Sequence, residues 1–273
     1  MRNGRKAGFI GAGNMASAII GGIAGKGLIR GEDMIASNPS MPKLERLHES
    51  YGLEITQDNR EAARRAGDFL FLCVKPQFMQ EVIDEIRDVV SDDTVVISIA
   101  AGKPLSFFEE GFGRPLRLIR IMPNTPAMVG EGCTAVSLGA EAAKPENREL
   151  VDEALELIGS FGETVVMPER LIDIAGQIGG ASIAWLCLAM EGMADGAVAE
   201  GMPRDMAYKF AAAAMAGTGR LALSTGRHPG VLKDMVTSPA GTTIQGNRIL
   251  EERAVRGAFM DAVIESTERS RRM

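Results

Sequence analysis

Residues 7–25 constrain the fold most. Ala7 to Ile10 reads as a short buried strand, and Gly11-Ala12-Gly13-Asn14-Met15-Ala16 follows it directly. A helix comes next, with Met15, Ala18, Ile19, Gly22 and Ile23 spaced i, i+3, i+4, i+7 and i+8, one helical face. Strand, G-x-G-x-x-A, helix is the order a dinucleotide-binding unit needs. Gly11 permits the tight turn, Gly13 lets backbone approach a pyrophosphate, and Ala16 is small enough for the helix to lie on the strand. The same run mimics a secretory leader, because Arg2, Arg5 and Lys6 precede an uncharged stretch. Gly8, Gly11, Gly13, Gly21, Gly22 and Gly25, with Asn14, make a poor apolar region for one.

Met34 to Ser37 is placed as the second strand of the unit. NAD-preferring proteins end that strand with a carboxylate on the ribose 2′-hydroxyl. Here it ends Ser37-Asn38-Pro39-Ser40, with Lys43 and Arg46 close behind. No carboxylate would repel a 2′-phosphate, so NADPH is expected over NADH, which stays possible.

Further α/β alternation follows. Strands are expected at Phe69–Val74, Thr94–Ile99, Leu116–Ile121, Cys133–Leu138 and Glu163–Val166, with helices at Phe78–Val90 and Pro145–Ile158. Lys75-Pro76, Ala100-Ala101-Gly102 and Met122-Pro123-Asn124-Thr125-Pro126 end strands on the edge where open α/β sheets bind ligands. From Glu169 the sequence is helical, with a long run from Leu171 to Ala199, a break at Met202-Pro203-Arg204, and a helix over Asp205–Ser224. The expected fold class is therefore α/β: a Rossmann-type doubly wound sheet over 1–167, then an all-helical domain over 168–273. The uncharged stretch Ile174 to Met190 tempts a membrane reading, but its Gly, Ser and Gln residues between Asp173 and Glu191 suit tight helix packing better.

Composition excludes several functions. A net charge of −6 argues against nucleic acid as the main partner. Two histidines, His48 and His228, rule out a multi-histidine metal site. Cys73, Cys133 and Cys187 are scattered, as in a reducing cytoplasm.

The most polar loop is Val236-Thr237-Ser238-Pro239-Ala240-Gly241-Thr242-Thr243-Ile244, directly before a helix-like run. Its hydroxyls and the unpaired N–H groups of a first helical turn make an anion site suited to a small carboxylate. An ordinary N-cap needs one hydroxyl; this loop offers four.

With His228-Pro229-Gly230-Val231-Leu232-Lys233-Asp234-Met235 before it, this loop resembles the signature H-P-G-x-L-K-D-x-V-T-S-P-G-G-T-T-I of pyrroline-5-carboxylate reductases. Supporting matches are Phe9 to Met15, Val74-Lys75-Pro76, Met122 to Pro126, Glu191 to Asp195 and Gly201 to Arg204, so the resemblance covers nearly the whole chain. Two positions depart from the family pattern. Ala240 replaces the first glycine of P-G-G, and Gly179-Gly180-Ala181-Ser182-Ile183-Ala184-Trp185 stands where the family tends to read S-G-S-G-P-A-Y.

The resemblance implies an NAD(P)H-dependent reductase of a small cyclic imine carboxylate, the last step of proline synthesis. It implies a helical domain that forms an interlocked homodimer, with larger rings of dimers in some members. It implies cofactor contacts at Gly11, Ala12, Gly13, Asn14, Met15, Ser37, Asn38, Asn59, Val74, Lys75, Pro76, Ala100 and Asn124. Ser238, Ala240, Gly241 and Thr242 would hold the substrate carboxylate, and Thr243 would hydrogen-bond the ring nitrogen. No metal, nucleic acid or membrane is implied. Alternatives are a reductase of a related cyclic imine, a non-catalytic nucleotide-binding regulator, and a 3-hydroxyacid or 6-phosphogluconate-type dehydrogenase. Gly176 to Met190 lacks the asparagine and lysine of the last class.

Overall fold

The computed structural model describes residues 4–272; Arg2 lies outside them. The strands are β1 (Ala7–Ile10), β2 (Met34–Ser37), β3 (Glu54–Thr56), β4 (Phe69–Leu72), β5 (Val95–Ser98), β6 (Arg117–Met122), β7 (Gly132–Leu138) and β8 (Gly162–Val166). Between them lie helices α1 (Asn14–Gly25), α2 (Met41–Tyr51), α3 (Asn59–Arg65), α4 (Met79–Ile86), α5 (Leu105–Phe112) and α6 (Arg148–Ile158). The strands form one sheet in the order β3-β2-β1-β4-β5-β6-β7-β8. All pairs are parallel except β6 with β7. The order reverses at β1, which has β2 on one side and β4 on the other, so a crevice opens beyond their carboxyl ends.

Successive residues of the central strands feed opposite faces, as the pleat requires. Phe9, Phe69, Phe71 and Ile97 join Ile19, Ile23, Leu44 and Leu157 in one core, while Ile10, Leu70, Leu72 and Val96 join Ala62, Ile83 and Phe108 in the other. Phe9 and Phe71 stack with centroids 4.9 Å apart, locking β1 to β4. On the second face, a Cβ on Gly8 would lie 2.7 Å from the Ala66 Cβ, so α3 packs directly on β1 backbone.

The expected strands form, with shifted ends. β4 stops at Leu72 because Cys73 turns its carbonyl against the Gly11 loop. The helix expected over Phe78–Val90 is shorter, a 3-10 turn at Pro76–Phe78 followed by α4. β3, α3 and α5 are additional elements. β3 is three partly exposed residues, Glu54-Ile55-Thr56, on the sheet edge, too short and polar to stand out.

The helical half begins with α7 (Ile172–Gly176), α8 (Ser182–Ala199) and α9 (Arg204–Thr225) and ends with α10 (Pro229–Met235), α11 (Thr242–Glu252) and α12 (Val255–Arg271). The long run expected over Leu171–Ala199 is interrupted by a π-helical segment, Gln177–Ala181, carrying Gly179 and Gly180. Adjacent glycines weaken an α-helix, and a wider turn relieves the interruption. By contacts the chain divides into one unit through Gly180, which takes in the last few residues, and a second over Ala181–Arg269. The last strand ends at Val166, just before the sequence boundary between 167 and 168, but α7 stays with the first unit. Buried Arg120 on β6 holds it there, donating to Glu169 at 3.1 Å and to Asp173 at 2.8 Å.

In the second unit the apolar side chains of α8 and α9 are largely uncovered. Leu188 is 70% exposed, Phe210 69% and Leu223 66%, although α8 and α9 pack on each other. Residues 169–199 are long and apolar enough to cross a membrane by length and composition, with an 18-residue stretch of mean hydropathy 1.5.

Candidate functional site

In the first unit the site is a glycine cradle. Gly11 has φ +104°, and its N–H donates to the Ser37 carbonyl at 2.8 Å. A Cβ there would sit 2.7 Å from the Cys73 carbonyl oxygen, so only glycine closes the turn between β1, β2 and β4. Gly13, the N-cap of α1, is extended (φ −84°, ψ 179°), and a Cβ on it would meet nothing within 4 Å. No side chain caps α1, and its first turn holds no acidic residue. The N–H groups of Asn14, Met15 and Ala16 therefore remain available beside open space, under the positive end of a twelve-residue helix. Ala12 is 4% and Ala16 1% exposed, so both belong to the packing. A backbone cradle with this opening fits a dinucleotide pyrophosphate.

Further expected cofactor residues follow the carboxyl ends of β4, β5 and β6, on the same edge of the sheet. Exposed Lys75 caps the 3-10 turn at Pro76, accepting the Phe78 N–H at 3.0 Å, and Val74 N lies against Gly11. Ala100 is 2% exposed, and its N–H donates to Ser98 Oγ at 3.2 Å. Asn124 is a strap: its Nδ2 donates to the Gly179 carbonyl at 2.7 Å and its Oδ1 accepts the Cys133 N–H at 2.8 Å. The loop after β6 is thereby tied to the π-helical segment. Burial pushes the neighbouring Cys73 thiol up to about 12, far from a nucleophile's range.

At the β2 end, Ser37 is fully enclosed and its Oγ donates to Asn59 Oδ1 at 2.8 Å. Asn59 Nδ2 donates in turn to Glu85 Oε2 at 2.8 Å. Nothing in the sequence flags Glu85, since it lies on α4, far along the chain. Asn38 Oδ1 accepts the Ser40 N–H at 2.9 Å, an Asx turn that shapes the chain into α2. Lys43 and Arg46 line a hollow of about 180 Å³ with Ala12, Asn14, Ser17 and Tyr51. Two cations beside the N-terminus of α1, with no carboxylate at the end of β2, suit an extra phosphate.

In the second unit, the hydroxyl loop leads into α11. Gly241 is its N-cap, extended at φ −72° and ψ 173°, with no side chain capping the helix. The Gly241 N–H is spent on the Ser238 carbonyl at 3.1 Å, so the open donors of the first turn are those of Thr242, Thr243 and Ile244, the first two on the hydroxyl-bearing residues. Ser238, Ala240, Thr242 and Thr243 are all exposed. A Cβ at Gly241 would fall 2.4 Å from Ser238 Oγ, so glycine lets that hydroxyl lie across the helix end. Thr237 faces the other way, its Oγ1 donating to the Lys233 carbonyl at 2.7 Å. Ala240 has φ +59°, the left-handed region, where the family pattern has glycine. Holding alanine there costs about 1 kcal/mol. Ala240→Gly is expected to raise the unfolding free energy by about that much, read from the urea midpoint at fixed protein concentration; an unchanged or lowered midpoint would contradict a strained Ala240.

Among the described residues no cluster of His, Cys, Asp and Glu could hold a metal ion.

Comparison with known proteins bears on both units. Residues 169–273 match the family model described as pyrroline-5-carboxylate reductase dimerisation, and residues 6–102 match NADP oxidoreductase, coenzyme F420-dependent. A pyrroline-5-carboxylate reductase of Methanosarcina acetivorans is 42% identical over 98% of both chains. The structure of a pyrroline-5-carboxylate reductase from Coxiella burnetii superposes with a TM-score of 0.91 at 30% identity, covering 99% of this chain and 98% of that one. That of a Plasmodium falciparum pyrroline carboxylate reductase with NADP bound does so with a TM-score of 0.82 at 28% identity, over 99% and 98%.

Proposed function

The chain belongs to the pyrroline-5-carboxylate reductase family, and from that premise we propose that it reduces 1-pyrroline-5-carboxylate to L-proline with NADPH. One observation carries the reading. The chain holds a glycine cradle for a dinucleotide in one unit and an uncapped, hydroxyl-rich helix end for a small carboxylate in the other. The related dehydrogenases need a lysine base on the long helix, which α8 does not supply. Incubation with NADPH and pyrroline-5-carboxylate should form one proline per NADPH consumed; no proline would overturn the reading.

When bound, NADPH supplies the hydride; the chain's residues do the rest. Gly11, Ala12, Gly13, Asn14 and Met15 seat the pyrophosphate. Ser37, Asn38 and Asn59 would shape the adenosine end, while Val74, Lys75, Pro76, Ala100 and Asn124 would line further parts of the cofactor's edge. Ser238 Oγ and the open N–H groups of Thr242 and Thr243 hold the carboxylate, with Ala240 and Gly241 setting the turn. Thr243 Oγ1 forms a hydrogen bond at the ring nitrogen as that atom gains electron density. Catalysis is then largely positioning.

Lys43 and Arg46 set the cofactor preference. Lys43→Ala with Arg46→Ala should weaken NADPH binding about tenfold and leave NADH nearly unchanged, the loss of charge-assisted bonds to one phosphate. Equal losses for both cofactors, measured by fluorescence titration, would contradict it.

The exposed apolar residues of α8 and α9 support a homodimer through the helical domain, with rings of dimers as a further assembly. A second copy, rather than lipid or nucleic acid, covers Leu188, Phe210 and Leu223. Sedimentation at micromolar concentration should give a dimer or larger; a lone monomer would refute it. The free Cys73, Cys133 and Cys187 accord with a cytoplasmic protein.

A further inference from the structure

We propose that Glu85, on α4, is a positioning residue for the adenosine end of the cofactor, acting by fixing which way the Asn59 amide faces. This rests on the dinucleotide reading of the first unit.

The bonds form a directed chain. A carboxylate only accepts hydrogen bonds. Asn59 must therefore turn its Nδ2 toward Glu85 Oε2, 2.8 Å away. Its Oδ1 then faces Ser37, so the Ser37 hydroxyl has to spend its one proton on that oxygen, at 2.8 Å. One carboxylate thereby sets the polarity of two further side chains. Without it, the amide can turn over and donate to Ser37 Oγ, which accepts equally well, and nothing else among these bonds selects one orientation.

Two features connect this relay to the cofactor. Asn59 is half-buried and keeps one N–H and one lone pair beyond the bonds named. It opens α3 beside the carboxyl ends of β2 and β3, where an adenosine ribose lies in a sheet of this order. Which group it offers the ribose hydroxyls follows from its orientation. Ser37, at the other end, has the carbonyl that receives the Gly11 N–H at 2.8 Å, so the relay ends on the residue bracing the glycine loop.

The Glu85 side chain is not the sole tie between α3 and α4. The Arg60 guanidinium adds two 2.7 Å bonds to Asp88, just past the end of α4, and one of 2.5 Å to the Glu85 main-chain oxygen. Removing the carboxylate therefore frees the amide and leaves the helices pinned.

The test compares wild type, Glu85→Ala, Glu85→Gln, Asn59→Ala and the Asn59→Ala/Glu85→Ala double variant. NADPH dissociation constants come from nicotinamide fluorescence, and kcat and KM from steady-state turnover. Glu85→Ala should raise the NADPH Kd and KM together by about tenfold, the loss of one oriented hydrogen bond. kcat at saturating NADPH and KM for the imine should stay put. Glu85→Gln, whose Oε1 can still accept from Asn59, should bind within about twofold of wild type. In the Asn59→Ala background, Glu85→Ala should add nothing. The proposal is overturned if Glu85→Ala binds NADPH as wild type does, if Glu85→Gln is as weak as Glu85→Ala, or if the two alanine effects add. Wild type failing to bind NADPH would instead remove the dinucleotide reading beneath it.

Discussion

Thr243→Val is expected to lower kcat about ten- to a hundredfold and to leave the NADPH dissociation constant within about twofold of wild type. The substrate carries its carboxylate and its imine nitrogen on one small ring, so a single loop can answer both. In the proposed site the helix end around Ser238, Thr242 and Thr243, which no side chain caps, supplies donors for the carboxylate. The Thr243 hydroxyl, exposed at the second residue of α11, is the group proposed to answer the nitrogen. Valine keeps the shape and removes one hydrogen bond of roughly 1.5–3 kcal/mol that strengthens as charge develops. The exposed position leaves no buried partner unsatisfied, so the thermal midpoint should barely move. Intact turnover, or a loss confined to NADPH binding, would show that the loop is not the imine site.

The second large effect belongs to the glycine cradle, where two neighbouring glycines should fail in different ways. Gly13→Val should weaken NADPH binding by roughly a hundredfold or more with little change in stability. Its backbone is extended, a conformation valine adopts freely, and the new Cβ meets no protein atom within 4 Å. The side chain therefore intrudes only into the open space proposed for the pyrophosphate. Gly11→Ala should instead destabilise the fold, by about 2–4 kcal/mol, because φ +104° and a carbonyl oxygen 2.7 Å from the new Cβ oppose it together. Urea unfolding and NADPH titration of both variants separate the two losses. A Gly13→Val protein that binds NADPH normally would contradict the seating of the pyrophosphate there.

The cradle was legible in the sequence because its information is local. A hydrophobic strand, two glycines at fixed spacing and a helical apolar stripe lie within one short stretch, and the hydroxyl loop is likewise contiguous. What escaped the sequence depends on residues far apart in it. Ser37, Asn59 and Glu85 become neighbours only when β2, α3 and α4 are in place. The Asn124 strap to Gly179 is hidden for the same reason. Short elements escaped too. The start of α10 hides in Gly226 to Gly230, which reads as a turn until Pro229 is seen to open a helix. Ser37 is a subtler case. The missing carboxylate after β2 was readable, but not that the serine itself would be enclosed with its hydroxyl donating to Asn59.

One loop is proposed to read a carboxylate and an imine together, on behalf of an NADPH-dependent reduction. The most direct test of this reading is the wild-type kcat/KM with NADPH for pyrroline-5-carboxylate beside that for 1-pyrroline, the same ring without its carboxylate. The Ser238 hydroxyl and the open N–H groups of Thr242 and Thr243 should make the carboxylate worth roughly a hundredfold or more, since hydrogen bonds to a charged group contribute about 1.5–3 kcal/mol each. Proline formation with that preference is the predicted result. Equal turnover of the two rings, or turnover of neither, would contradict it.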